Sequence, residues 1–589
     1  MGRRFDPDRA HMYSVLRGVG VQRLAKFSSG LLLVFTFGIP IVMDPVGTFS
    51  ATNVPKLSLI VIGACLFFVF SIPSLAKLAG ANLWRKITFL VVFALSWSII
   101  SLIKNSEQWD ERLFGVYGRN LGFIVFISVF LIFWCSLVFP PKWIPAFFVA
   151  FSISSILVAV YFLLQYVGID FGVWEQNYGK TPSATLGNPN YVVSLIAVGL
   201  SLPLSFLILQ PSKKIKSKVL MLLILIAGTS CMSLAESFQG FLILGVSLTM
   251  LYLFKYKSIL LEKGTILRKR AALFFIGTVL ISLFSTFIFQ KLFRENLGLD
   301  SVFARFDYWR ASINMIRNSP FFGLGFDSFG DYYLEFRGRS AATRSPGLFS
   351  DSPHNFFLEL AIFAGLPLAI CYVLIQIQVL RAAVSALKVL NQRESFYLIT
   401  LITYWTGFHI QSLINPSSLA LLPLQFVTSG LIFSFSQNIN QEIFHGRKPL
   451  ILRKRVGRDS LSFIGILSTL FVGLLLIPLS MKYGLATWEK DRNFKAAATK
   501  GDGSAMISIS NDWPFVFSVS ELTARTLLEN GYEALGIEVV RNLIEKNPRN
   551  IRGWRLLYER SAETQERALA IAKMKALDPF NTEYDQMKP

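Results

Sequence analysis

Ser352–Leu380 reads SPHNFFLELAIFAGLPLAICYVLIQIQVL. A polar, proline-marked approach gives way at Asn355 to an apolar run longer than the roughly 20 residues a helix needs to cross a hydrocarbon core. Such runs recur along the whole chain. With 53% hydrophobic and 16% charged residues over 589 positions, and a mean hydropathy of +0.50, the composition is that of a polytopic membrane protein.

The hydropathy rule places about thirteen spans, near 27–43, 56–72, 87–103, 120–139, 143–167, 191–209, 219–234, 238–254, 271–290, 355–380, 396–414, 419–435 and 461–479. The expected fold is all-α: a polytopic integral membrane bundle of about 12–13 helices, a large periplasmic loop and a small α-helical, repeat-like C-terminal domain. The expected divisions are a basic cytoplasmic N-terminus at 1–26, a transmembrane domain at 27–480 with its loop at 291–353, and the helical domain at 481–589.

A net charge of +22 would suit nucleic acid if it formed one face, but it is spread over alternate loops. Placing Arg3, Arg4, Arg9, Arg17, Arg23 and Lys26 inside puts Lys213-Lys214-Ile215-Lys216, Arg268-Lys269-Arg270 and Arg453-Lys454-Arg455 on the same side. That gives about 29 basic residues inside against about 5 in the short outer loops, an orientation signal and no reason to expect a nucleic-acid partner. The apolar stretch from Phe27 lacks a small-x-small cleavage site and reads as a retained anchor.

Cys65, Cys135, Cys231 and Cys371 all fall within spans, so no disulfide or thiolate metal site is expected. Asp6-Pro7-Asp8 reads as a cytoplasmic turn, and no metal or other cofactor is expected. Of the four histidines, only His354 maps to the outer surface. An imidazole at a lipid boundary suits work on a lipid-linked substrate, although its position alone equally suits a helix-start residue satisfied by backbone.

Within the outer loop, FARFDYWRASINMIRN at 303–318 has Phe303, Phe306, Trp309 or Arg310, Ile313 and Ile316 at helical spacing. This predicts an amphipathic helix suited to a membrane surface, ended by Pro320. The glycines of Phe321-Phe322-Gly323-Leu324-Gly325-Phe326 then predict a tight turn. By local chemistry Arg119 is equally a snorkelling anchor and Arg305 a surface cation, while Asn188 and Asn190 cap or turn the chain before Tyr191.

Several motifs in order resemble the O-antigen ligase and polymerase superfamily of bacterial envelope glycosyltransferases. Arg305 to Trp309 matches Arg-x-x-x-Trp, Pro320 to Gly325 matches Pro-x-x-Gly-hydrophobic-Gly, and His354-Asn355 precedes a span containing Gly365-Leu366. Upstream, Gly115-Val116-Tyr117-Gly118-Arg119-Asn120-Leu121-Gly122 and Leu186-Gly187-Asn188-Pro189-Asn190 are similar to family stretches. Where many relatives carry Ser-Arg-Gly, this chain has Ser237-Phe238-Gln239-Gly240, which shifts phosphate binding onto Arg119 and Arg305.

The resemblance implies metal-independent transfer of a glycan from undecaprenyl diphosphate to an acceptor hydroxyl, such as lipid A-core, at the periplasmic face of the bacterial inner membrane. It implies His354 and Arg305 as catalytic residues, and Arg119, Asn355, Trp309 and Asn190 as substrate-binding ones. Guanidinium groups would hold the diphosphate and the imidazole would take or orient the hydroxyl proton. Polysaccharide polymerase and protein O-oligosaccharyltransferase activities share that donor and stay open, as do, from other classes, a transporter or a tetratricopeptide scaffold. A transporter would place charge or broken helices near the midplane, whereas the spans here hold almost no acids or bases.

After Asn511-Asp512-Trp513-Pro514 two paired-helix patterns close on Asn547-Pro548 and Asp578-Pro579, resembling tetratricopeptide repeats, with Ala534, Trp554, Leu556, Ala568 and Ala572 at packing positions. Two repeats fall short of the usual minimum of about three, so these helices are expected to pack on the membrane domain or on a protein or glycan partner.

Overall fold

A computed structural model describes residues 7–78, 82–170, 181–210, 214–235, 237, 239–255, 299–344, 349–445 and 459–589. Every regular element among them is helical. Seven helices among the described residues are long and apolar enough to cross a membrane: Asn53–Ala76, Trp84–Lys104, Pro141–Tyr166, Pro189–Leu209, Ile215–Leu234, Phe356–Leu387 and Leu467–Lys500. Two apolar helices are shorter, Phe123–Ser136 and Gln239–Lys255. Helices Pro7–Gly38, Gln392–Ile414 and Leu422–His445 occupy the other expected spans, and the one at 271–290 lies outside the described residues. Pro7 opens a helix, so Asp8 sits in a first turn instead of the expected loop; that helix runs unbroken past the division at residue 26.

The bundle is apolar inside and outside. Phe126, Phe130, Phe133, Phe147 and Phe151 are fully buried, while Leu222, Leu223 and Ile226 on Ile215–Leu234 point outward, with only 17% of that helix's apolar window covered by protein. A helix that is apolar all round and so little covered is the surface hydrocarbon would solvate. Cys65, Cys135, Cys231 and Cys371 are buried thiols, as small apolar residues in such a core should be.

The last span does not stop at the bilayer. Asp459–Lys500 is one helix of 42 residues, about 63 Å long at 1.5 Å per residue, so its apolar first half continues as helix into the polar tail. The tail then packs as hairpins, Phe517–Glu529 on Glu533–Lys546 and Ile551–Arg560 on Thr564–Leu577. Trp554 and Leu556 are buried as expected. Ala534, Ala568 and Ala572 are exposed instead. The core faces are Val539, Val540 and Leu543, and Ala570, Ile571 and Met574, so each helix is rotated relative to the expectation, leaving Leu535 and Leu569 exposed.

Candidate functional site

The motif stretches are built around breaks in regular structure. In Phe356–Leu387 the helix is interrupted at Ala364 (φ −136°) and Gly365 (φ +82°), which exposes its carbonyls. The Pro320–Gly325 turn docks there: Leu324 N donates to Ile362 O (2.7 Å), Gly325 N to Phe363 O (3.1 Å) and Leu366 N to Pro320 O (2.8 Å). Ser101 Oγ donates to Phe322 O (2.8 Å) and Trp97 Nε1 to Ala364 O (2.9 Å), with the Trp97 and Phe322 rings stacked at 5.3 Å. A Cβ on Gly365 would overlap the Phe321 carbonyl, so this approach needs glycine. Both glycine motifs are therefore one latch that fixes the outer loop on a helix kink.

The Gly115–Gly122 stretch is a second such device. Gly115 and Gly122 touch backbone to backbone, leaving no room for a Cβ on either. The loop they close wraps the Asp327 carboxylate, whose Oδ2 accepts from Val116 N (2.8 Å) and Leu121 N (3.1 Å). Arg119 is thereby aimed at carboxylates: its Nη2 pairs with Glu359, its Nε lies 3.4 Å from Asp327 and its Nη1 3.9 Å from Asp351. Burial alone would lower the guanidinium's affinity for its proton, but Asp327, Asp351 and Glu359 outweigh it and raise it. Burial likewise lifts the Asp327 carboxyl above its usual range, against the pull of Arg119. The place a cation would take among these carboxylates is filled by Arg119 itself, and Ser417 Oγ caps the other Glu359 oxygen.

His354 follows directly on this cluster. It has a left-handed φ of +54°, uncommon for a residue with a side chain. Two contacts to Ser352 hold it there: His354 N donates to Ser352 Oγ, and ring Nδ1 lies 3.1 Å from Ser352 O. A carbonyl only accepts, so Nδ1 carries the hydrogen and Nε2 keeps its lone pair. Burial pulls the imidazole down to about 4, offset in part by the Ser352 hydrogen bond, with Arg305 pushing the same way as burial and Asp351 opposing it. The ring is thus neutral at neutral pH. It leans on Tyr308, centroids 5.2 Å apart.

Arg305 and Tyr308 share helix Leu299–Asn318. Arg305 Nε donates to Ile414 O (3.1 Å) at the C-terminus of Gln392–Ile414, where carbonyls lack helical partners. Asn355 reaches the same end, its Nδ2 3.4 Å from Leu413 O, while its Oδ1 caps the following helix through Phe357 N and Leu358 N. The helix buries Tyr308, Ala311 and Met315 and turns Phe306 and Ile313 outward, the apolar stripe a membrane-surface helix requires. Trp309 packs edge-on to Phe306, and no contact ties it to His354.

Asn188 caps Pro189–Leu209 through Asn190 N (2.8 Å), and Asn190 Oδ1 accepts from Ser237 Oγ (2.8 Å). The next residue, Tyr191, lies close enough for its phenol to act on Arg119, so the Gly-Asn-Pro-Asn turn borders the carboxylate cluster. Phe238 lies outside the described residues. The sequence reading missed Asp327, Asp351, Glu359, Tyr308 and Ser417. Only Glu359 left a trace, as an acid one turn inside an apolar span.

Residues 217–373 match the O-antigen ligase family. The matched segment contains Arg305, the Pro320–Gly325 turn and His354-Asn355, and ends beyond the kink at Gly365. No curated protein matches the chain.

Proposed function

Since the chain carries an O-antigen ligase domain at residues 217–373, we propose that it joins a glycan from a polyprenyl-diphosphate donor to an acceptor hydroxyl, here a lipid A-core sugar, on the outer face of the bacterial inner membrane. The observation that carries this reading is the His354 ring, with Nδ1 3.1 Å from Ser352 O, no partner at Nε2 among the described residues, and Tyr308 beside it. The acceptor hydroxyl donates to Nε2. As its oxygen bonds to the anomeric carbon its proton passes to the ring, and the bond to the diphosphate oxygen breaks with the electron pair leaving on phosphate.

Arg305 is the guanidinium assigned to that developing charge. Arg119 takes a different part from the one the resemblance implies. Its guanidinium is already engaged by Asp327, Asp351 and Glu359, so Arg119 holds the loop carrying Asp351 and His354 in place. Asn355 anchors the span to Leu413 O, and Asn190 and Trp309 keep the substrate-binding roles that the resemblance implies. The basic loops support a cytoplasmic N-terminus, with the tail on the same outer side as His354.

The test is complementation of a deletion strain with His354→Ala and Arg305→Ala after both variants are shown to reach the membrane. Loss of mature glycan, with carrier-linked chains accumulating, is expected. Wild-type ladders from both variants would remove the catalytic assignment, and arrest at a single repeat unit would favour a polymerase.

A further inference from the structure

Asn547 and Asp578 close the two tail hairpins, and both are buried at 2% exposure against the membrane domain. Asn547 Oδ1 accepts from Gln108 Nε2 (2.6 Å). Asp578 takes both its oxygens to Arg337 Nη2 at 2.9 Å, in an ion pair whose side chains are 2% and 1% exposed. Between these turns Arg549 lies over the Tyr332 ring at 3.8 Å, donates to Asp331 O and pairs with Glu335. Every one of these grips, except that of Asn547, falls on the short helix Phe329–Phe336 or the residue after it.

The other face of that helix looks at the site. Tyr333, 1% exposed, meets Tyr308 edge-on with centroids 5.5 Å apart, and Tyr308 in turn lies 5.2 Å from the His354 ring. Arg337 N donates to Tyr333 O (2.9 Å), so the ion pair and the tyrosine are one turn apart on the same backbone. Asn314 Nδ2 donates to Phe336 O (3.1 Å), fastening the helix that bears Arg305 and Tyr308 as well.

We infer that the C-terminal helical unit is a working part of the site: its Arg549 and Asp578 clamp Phe329–Phe336 and the adjoining Arg337, and through Tyr333 and Tyr308 that helix holds the His354 ring in its reactive pose. The inference rests on the reading of His354 as the reacting group. A buried ion pair is a poor source of stability, since desolvation offsets most of its attraction, but it tolerates few alternative positions. A left-handed backbone at a side-chain-bearing residue persists only where its surroundings over-determine it. Tyr333, Arg337 and Asp578 are accordingly positioning residues, none of which touches substrate.

The experiment reads the ring without substrate. Full-length protein in nanodiscs is treated with diethyl pyrocarbonate across pH 4–8, and carbethoxylation of His354 is followed by peptide mass spectrometry in wild type, Tyr333→Leu, Arg337→Met and the double variant Arg337→Met/Asp578→Leu. Tyr333→Leu leaves the tail docked and Arg337→Met loosens it. Both are expected to raise the His354 rate at least fivefold and to move its midpoint up from about 4 toward the ordinary 6.5. The double variant refills the interface without charge and returns both to wild-type values. If Arg337→Met does not fold, Arg549→Leu, which removes the tail's hold on Asp331, Tyr332 and Glu335, takes its place. Rates within twofold of wild type in Tyr333→Leu overturn the inference, whatever the chain's activity proves to be.

Discussion

Replacing Gly365 with alanine tests the latch on which the outer loop depends. At φ +82° and ψ 170° an added Cβ enters a backbone region essentially reserved for glycine, at a cost of about 1–3 kcal/mol. The new atom would also lie 2.9 Å from Phe322 N and closer still to the Phe321 carbonyl, so the turn must retreat and loosen the Leu366 N to Pro320 O bond (2.8 Å). Forcing a methyl into a closed contact costs about 1–3 kcal/mol. The two effects together give about 2–6 kcal/mol. Gly501 is the control, with φ +67° and no heavy atom within 4 Å of its Cβ position, so Gly501→Ala should cost only the dihedral penalty of about 1–2 kcal/mol. Unfolding by dodecyl sulfate in mixed micelles gives both free energies, and glycan ladders give the effect on the site. Equal losses in the two variants, or a wild-type ladder from Gly365→Ala, would refute the latch.

Because the His354 value falls to about 4 from 6.5, the neutral base is the dominant form above about pH 5. Transfer in membrane vesicles should therefore stay flat from pH 6 to 8 and decline only as pH falls through 4. A midpoint near 6.5 would mean a solvated ring. Arg337→Met strands the buried Asp578 charge and should cost about 3–5 kcal/mol, most of it recovered in Arg337→Met/Asp578→Leu, as denaturation of both variants would show. Asn188→Ala removes the cap on Pro189–Leu209 and should cost about 1 kcal/mol in the same assay. Asp351 has a half-exposed side chain and the native cysteines are buried, so Asp351→Cys in spheroplasts should react with an impermeant maleimide. Labelling only after lysis would reverse the proposed orientation.

Class, helix content and motif order were legible along the chain because each is local. Apolar runs of bilayer length name a membrane helix wherever they pack, and Pro320, the Phe321–Phe326 glycines and His354-Asn355 sit within a few dozen residues of one another. The tail hairpins were legible from their closing turns, yet Ala534, Ala568 and Ala572 were misassigned. In short helices of mixed composition, several faces are apolar enough to serve as the core, and packing against the neighbouring helix decides among them, as exposed Leu569 beside buried Ala570 illustrates.

What the sequence determined by itself was a multi-span helical bundle with an O-antigen ligase-like outer loop and a helical tail. Only the tertiary structure decided that Arg119 faces Asp327 and Glu359, separated from it by more than 200 positions, that burial favours the neutral form of the His354 ring, and that Asp578 reaches Arg337. Charge pairing and desolvation depend on which distant segments share a water-poor space, and no local periodicity encodes that.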